Sequence, residues 1–129
     1  MDSDPNEKTI KFIRNWAISI GYLPQTDTET ELAQYIGNQT HYLYCLTRSA
    51  AINEEINTLN WLDKHNILNT NDVVISVAAH SVLSMIKYCI DKGYDTTECC
   101  HILRLNNHLT TLKWLENNGC KCDKSKNYH

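Results

Sequence analysis

The side chains best suited to chemistry in this sequence are its six cysteines and six histidines. Thiolate and imidazole are the ligands that zinc prefers, and near the C-terminus they form the cluster Cys99, Cys100, His101, Cys120 and Cys122. Their spacing is unusual for zinc, because Cys99 and Cys100 are adjacent and one residue separates Cys120 from Cys122, whereas common zinc sites leave at least two. A zinc-stabilised module is therefore an alternative, and the main prediction is that no metal or cofactor is bound.

Catalytic motifs are absent around these residues. The sequence has neither a nucleophile elbow nor a local cysteine-protease signature, and so many cysteines and histidines produce chance pairs. His108 opens a predicted helix, where a hydrogen bond to the helix N-terminus is its simplest role. The four glycines all follow predicted helices, which leaves none for a phosphate-binding loop: Gly21, Gly37, Gly93 and Gly119. We predict that the chain is not an enzyme.

Composition is that of an ordinary globular domain. The 129 residues are 42% hydrophobic and 21% charged, with a formal net charge of -3, which argues against nucleic acid as a partner. The N-terminus is acidic, unlike a signal peptide, and no apolar run approaches the length of a membrane span. The sequence therefore predicts an intracellular protein without a membrane partner. Its cysteines should be reduced, because disulfides are rare in that compartment.

An internal repeat is the strongest feature of the chain. Three segments, beginning at Leu46, Val73 and Cys99, align without internal gaps, at steps of 27 and 26 residues. Their apolar columns lie three residues apart, as on one face of a helix. The aligned sets are Ile56, Leu83 and Leu109; Leu59, Ile86 and Leu112; Leu62, Cys89 and Leu115; and the aromatic Trp61, Tyr88 and Trp114.

Residues of the kind that end a helix recur at the same spacing as the repeat. Asn66, Gly93 and Gly119 follow the apolar columns, and these residue types suit the left-handed cap that ends a helix. Ala pairs upstream indicate a first helix that a neighbour can approach closely. The β-branched run at 73–77 could be a strand, but its alignment with the other segments favours a helix. Each unit should be helix, tight turn, helix.

Residues 1–45 fit the repeat poorly and should form an N-terminal helical cap or a divergent repeat. Pro5 is expected at the start of a helix that ends at Gly21 and buries one face. That face comprises Phe12, Ile13, Trp16, Ala17 and Ile20. A second helix should run from Thr28 to Ile36 and close at Gly37, and a third should open near His41. The total is about eight helices.

The segment HLTTLKWLENNGCKCD resembles the second helix of an ankyrin repeat, of the degenerate kind found in large DNA viruses, and VAAHSVLSMIKYCIDKGYD resembles the same element. The resemblance covers about residues 46–123. It implies an all-α, ankyrin-like solenoid with repeats at 46–72, 73–98 and 99–123 and a tail at 124–129. The units are shorter than the usual 33 residues and lack the Thr-Pro-Leu-His motif, so no β-hairpin fingers are expected.

The resemblance implies a virus-encoded module that binds proteins, acting in the host cytoplasm or packaged in a virion. Its partner-binding residues should lie on the first helices: Arg48, Asn53, His80, Arg104 and Asn107. The last repeat is followed by a short polar tail instead of a cap, so Leu105, Leu109 and Leu112 could form an apolar edge. A building block that self-associates through that edge, for instance as a homodimer, is the alternative function.

Overall fold

The structure, a computed structural model, describes residues 5–26 and 28–118. Within these ranges the chain forms eight α-helices and no strand. They are α1 (Pro5–Ser19), α2 (Glu29–Asn38), α3 (Thr40–Ile52), α4 (Ile56–Lys64), α5 (Thr70–Ala79), α6 (Leu83–Asp91), α7 (Thr97–Leu105) and α8 (Leu109–Asn117). The predicted all-α class and the helix count are confirmed. Gly119, Cys120, Cys122 and the predicted tail lie outside the described residues.

The chain divides into two compact units between Asn69 and Thr70. In the first unit, α1 packs against α2 and α4, and α3 packs against the same two helices. In the second unit, α5 packs against α6 and α7, and α7 packs against α8. The division does not fall after residue 45, because Ile13, Leu32 and Ile36 from the N-terminal third share one core with Leu46 and Leu62.

The turns within the repeats have one backbone geometry. Glu54, Ser81 and Asn107 are all left-handed, with φ of 59°, 54° and 60°, and they lie 27 and 26 residues apart. In each turn the next backbone N–H donates to a carbonyl five residues earlier. These bonds are Glu55 to Ala50 at 2.8 Å, Val82 to Val77 at 2.9 Å and His108 to Leu103 at 2.8 Å. This is the hydrogen bond that closes a helix end in a Schellman motif, so the repeat in the sequence is also a repeat in structure.

The predicted helix-ending residues behave in the same way. Asn66 has φ of 59° and Gly93 has φ of 77°, and each is followed by a backbone bond spanning five residues. Two of the apolar columns that precede them are buried, since Leu59, Ile86, Leu62, Cys89 and Leu115 are all 0% exposed. The predicted column of Ile56, Leu83 and Leu109 is not buried, because Ile56 is 39% and Leu109 56% exposed at the start of their helices. Burying side chains of this size stabilises a fold by roughly 1.5–3 kcal/mol each, so these columns hold both units together.

Two details differ from the prediction. Phe12 is 46% exposed, because the buried face of α1 centres on Ile13 and Ala17, both 0% exposed. Gly37 lies inside α2 and does not close it. A Cβ at that position would stand 3.0 Å from Cγ2 of Ile67, so glycine allows the close approach of Ile67 and does not serve a left-handed turn.

A search of the described residues finds no helix long and apolar enough to cross a membrane.

Candidate binding surfaces

The C-terminal half of α3 forms one wall of an open groove of about 270 Å³. Its lining includes two of the predicted contact residues, Arg48 and Asn53, together with Cys45, Ser49 and Ile52. The buried side of the same helix carries Leu46, Thr47, Ala50 and Ala51. Because α3 is amphipathic, its inner face is fixed in the core and its outer face is presented to solvent.

Polar contacts order part of this groove. Asn53 Nδ2 donates to Ser49 O at 2.9 Å and approaches Ser49 Oγ at 3.3 Å, so the Asn53 side chain closes the end of its own helix. Cys45 is exposed, and its Sγ lies 3.9 Å from Nε2 of His41, one helical turn earlier. The His41 ring in turn packs edge-on against Tyr42, with centroids 5.6 Å apart. A thiol, an imidazole and a guanidinium thus share one exposed helix face.

The remaining predicted contact residues lie in the second unit. His80 and Asn107 are exposed and follow α5 and α7, while Arg104 is half-buried in the last turn of α7. Asn107 has a structural role in the left-handed turn. His108 precedes α8 but makes no side-chain cap bond, so its predicted hydrogen bond to the helix N-terminus is wrong. Its backbone N–H donates to Leu103 O, and its backbone carbonyl accepts from Leu112 N–H.

The predicted apolar edge is narrower than the sequence suggests. Leu105 and Leu109 are 63% and 56% exposed on either side of the α7–α8 turn. Leu112 is only 7% exposed, because it lies one turn further along α8 in the buried column shared with Leu59 and Ile86. The exposed apolar surface at this turn is therefore built from two leucines.

Of the five residues considered as zinc ligands, the structure describes Cys99, Cys100 and His101. Cys99 is 0% exposed, with its Sγ 4.0 Å from Val74 O, and Cys100 is disulfide-bonded. The disulfide departs from the expectation that the cysteines are reduced. No group of three possible metal ligands occurs in the part of the chain that the structure describes. Burial raises the pKa of Cys89 to about 12, so that thiol is inert packing.

A charged cluster in the first unit was missed by the sequence reasoning. Glu29, in the first turn of α2, accepts from Nε2 of His65 at 2.8 Å and lies 3.6 Å from Nζ of Lys64. Burial raises the pKa of Glu29, but the hydrogen bond from His65, the charges of Lys64 and His65 and a contact with Trp61 together lower it below 4.5. The cluster joins α2 to the end of α4, and Glu29 and His65 are 36 residues apart in sequence. No short sequence motif predicts such a contact.

A second open groove lies between α6 and α8, again about 270 Å³. Lys87 Nζ sits 4.9 Å from the ring centroid of Trp114, and Ile90, Asp91 and Asn118 complete the lining. A cation held over an indole ring is a stabilising contact between helices. Trp114 is half-buried, as is Tyr88 in the same repeat column, whereas Trp61 is buried.

Comparison with known proteins adds no relative: no family model matches the sequence, and neither curated proteins nor solved structures yield a match.

Proposed function

We propose that this chain is a protein-binding module of the ankyrin-like helical-repeat kind and that it catalyses no reaction. The observation that carries the proposal is the outer face of α3. Tyr42 and Tyr44 are 44% and 42% exposed on this helix, and Arg48, one helical turn after Tyr44, lines the groove. Tyrosine and arginine are among the residue types that most often dominate protein interfaces, and Tyr44 and Arg48, four residues apart on α3, share one face of the helix.

Charge indicates the kind of partner. Helix α3 contains no acidic residue, while it carries His41 and Arg48, and the chain as a whole has a net charge of -3. A basic helix face attracts an acidic segment of a partner, even on a protein whose net charge is negative. We infer that the partner presents carboxylates to α3.

The resemblance to viral ankyrin-like repeats supports the setting of this proposal. A virus-encoded module of this kind would act inside a host cell, in the cytoplasm or after delivery in a virion, by recruiting a host protein. The repeated turn geometry supports the helical-repeat part of the proposal, since ankyrin-like units also consist of two helices joined by a tight turn.

Affinity capture with paired variants tests the binding surface. Tagged wild-type protein and the double variant Y44S/R48S are each incubated with cell lysate, and bound proteins are quantified by mass spectrometry. We expect the set captured by wild type to fall at least about tenfold on the variant. The matched control is F12S, which removes an equally exposed ring from α1. Equal capture by wild type and Y44S/R48S would exclude α3 as the binding face.

Self-association is the second candidate, favoured by the exposure of Leu105 and Leu109. Light scattering coupled to size-exclusion chromatography under reducing conditions measures the mass directly. A dimer of the 14.9 kDa chain that L109K converts to a monomer would support it. A monomer at all concentrations would remove it and leave a foreign partner.

A further inference from the structure

The groove between α6 and α8 carries one positive and one negative side chain. Lys87 and Asp91 lie one helical turn apart on α6, both are exposed, and both line the groove. Residues four apart on a helix are neighbours, and a lysine and an aspartate at this spacing can form an ion pair. Here the lysine is turned to α8 instead, with its Nζ 4.9 Å from the ring centroid of Trp114. The two charges are therefore kept apart.

Both charged groups are available to a ligand. Among residues 5–26 and 28–118, the side chain of Asp91 takes part in no hydrogen bond or ion pair, and the contact of Lys87 with the indole ring uses no hydrogen-bond acceptor. Three ammonium donors and two carboxylate oxygens thus remain. An ammonium and a carboxylate that are close but not paired with each other suit a ligand that itself carries both charges.

The lining also offers an apolar surface. Trp114 is half-buried, and Ile90 lies in the same lining. Asn118 closes the end of α8, because its Nδ2 donates to Trp114 O at 2.8 Å and so fixes the backbone that carries the indole. An indole ring and a branched alkyl group together bind an apolar or aromatic side chain. The groove volume of about 270 Å³ is of the size that a small ligand requires.

We propose that this groove binds a free α-amino acid with an aromatic or branched apolar side chain. The carboxylate of the ligand accepts from Lys87, its ammonium donates to Asp91, and its side chain lies against Trp114 and Ile90. A free amino acid fits better than the end of a polypeptide, because each chain end carries only one of the two charges and would leave the other side chain of the groove without a partner.

This site goes beyond the proposed protein binding and does not rest on it. The groove is lined by α6 and by the end of α8, whereas the proposed protein-binding face belongs to α3. Variants of one site should therefore leave the other site intact.

Titration with L-phenylalanine, followed by two-dimensional NMR, tests the proposal. The indole N–H signal of Trp114, identified by its loss in W114F, should shift saturably, whereas the signals of Trp16 and Trp61 in the first unit should stay in place. Two analogues each lack one charge: N-acetyl-L-phenylalanine keeps the carboxylate, and L-phenylalanine amide keeps the ammonium. Each analogue should bind about fivefold more weakly than the amino acid, as expected when one ion pair at a surface is lost.

Charge-neutral variants assign the two contacts. K87Q should bind phenylalanine about fivefold more weakly and no longer distinguish it from its amide, whereas D91N should no longer distinguish it from the N-acetyl form. K113Q removes an exposed lysine of α8 outside the groove and should bind as wild type does. Unchanged Trp16 and Trp61 signals show that each variant is folded. A Trp114 signal that does not shift, or an analogue that binds as tightly as phenylalanine, would overturn the assignment.

Discussion

The two units both contain the helix–turn–helix pair of the repeat but are fastened by different polar contacts. In the first unit, Glu29 binds His65 at 2.8 Å and Lys64 at 3.6 Å, so ionisable groups join α2 to α4. In the second unit, the hydroxyls of Ser81 and Thr111 share a hydrogen bond at 2.6 Å, and Lys87 lies over Trp114. The apolar columns are common to both units, whereas sensitivity to protonation near the carboxylate range should belong to the first.

The largest expected effect on stability concerns the buried apolar column that contains Leu62 and Cys89. Leu62 and Cys89 occupy equivalent repeat positions, and both are 0% exposed. Leu62→Ala should lower the free energy of unfolding by about 2–5 kcal/mol, because it deletes a buried isobutyl group and leaves a cavity. Cys89→Ala removes one sulfur atom and should cost about 1 kcal/mol.

Urea denaturation followed by circular dichroism measures both losses, and Leu23→Ala, at a site 83% exposed, is the control. If the cysteine variant loses as much stability as the leucine variant, the two positions do not contribute to packing in the way that their side-chain sizes predict.

The next prediction concerns the charged contact that fastens the first unit. Because the folded pKa of Glu29 is lowered from 4.5, its contribution is fully present above that value. It is lost as pH falls through the lower folded pKa. Glu29→Gln should lower the free energy of unfolding by about 1 kcal/mol at pH 7, which is the value of a charge-assisted hydrogen bond reduced for partial exposure. The variant should also show a weaker dependence of stability on pH below about 4.5.

Ser81→Ala is the comparison variant from the second unit. It should cost a similar amount, about 1 kcal/mol, but leave the pH profile of wild type unchanged. Thermal unfolding across the acid range measures both variants. A profile for Glu29→Gln that parallels wild type through that range would show that the carboxylate does not create the difference between the units.

The smallest effect concerns the helix-ending residues that the units have in common. Gly93 has φ of 77° with open space around a Cβ, so Gly93→Ala should cost about 1 kcal/mol from backbone strain alone. Asn66 has φ of 59°, so Asn66→Gly removes a small backbone strain but also raises the conformational entropy of the unfolded chain. Because these effects oppose each other, stability should change by less than about 0.5 kcal/mol. Chemical denaturation of the two variants distinguishes these outcomes; a large loss for Asn66→Gly would mean that the Asn66 side chain has a further role.

Repetition explains what could be predicted from the sequence. The columns around Leu59 and Ile86, and the caps at Asn66 and Gly93, were predictable because each recurs at a fixed step and reflects a local requirement of helix geometry. Arg48 and Asn53 were placed on a first-helix surface for the same reason, and the structure puts both on one groove.

Contacts between residues far apart in sequence could not be predicted in this way. The pairing of Glu29 with His65 and the approach of Gly37 to Ile67 depend on how α2 packs, and a single sequence carries no periodic signal for such packing. Phe12 was misplaced because apolar character alone does not tell which edge of the stripe on α1 meets the core. Cys45 lies just before the first aligned segment, so the column argument that covered other cysteines did not reach it.

The three inner turns satisfy their geometry with backbone groups, since the left-handed residues are a glutamate, a serine and an asparagine. Nothing in the shared hydrogen bond depends on the identity of those side chains. The backbone of the tripeptides 53–55, 80–82 and 106–108 is thus one common frame for a loop, and a new side chain at its left-handed position should leave the backbone turn intact, except that a change at Ser81 also removes its hydrogen bond to Thr111.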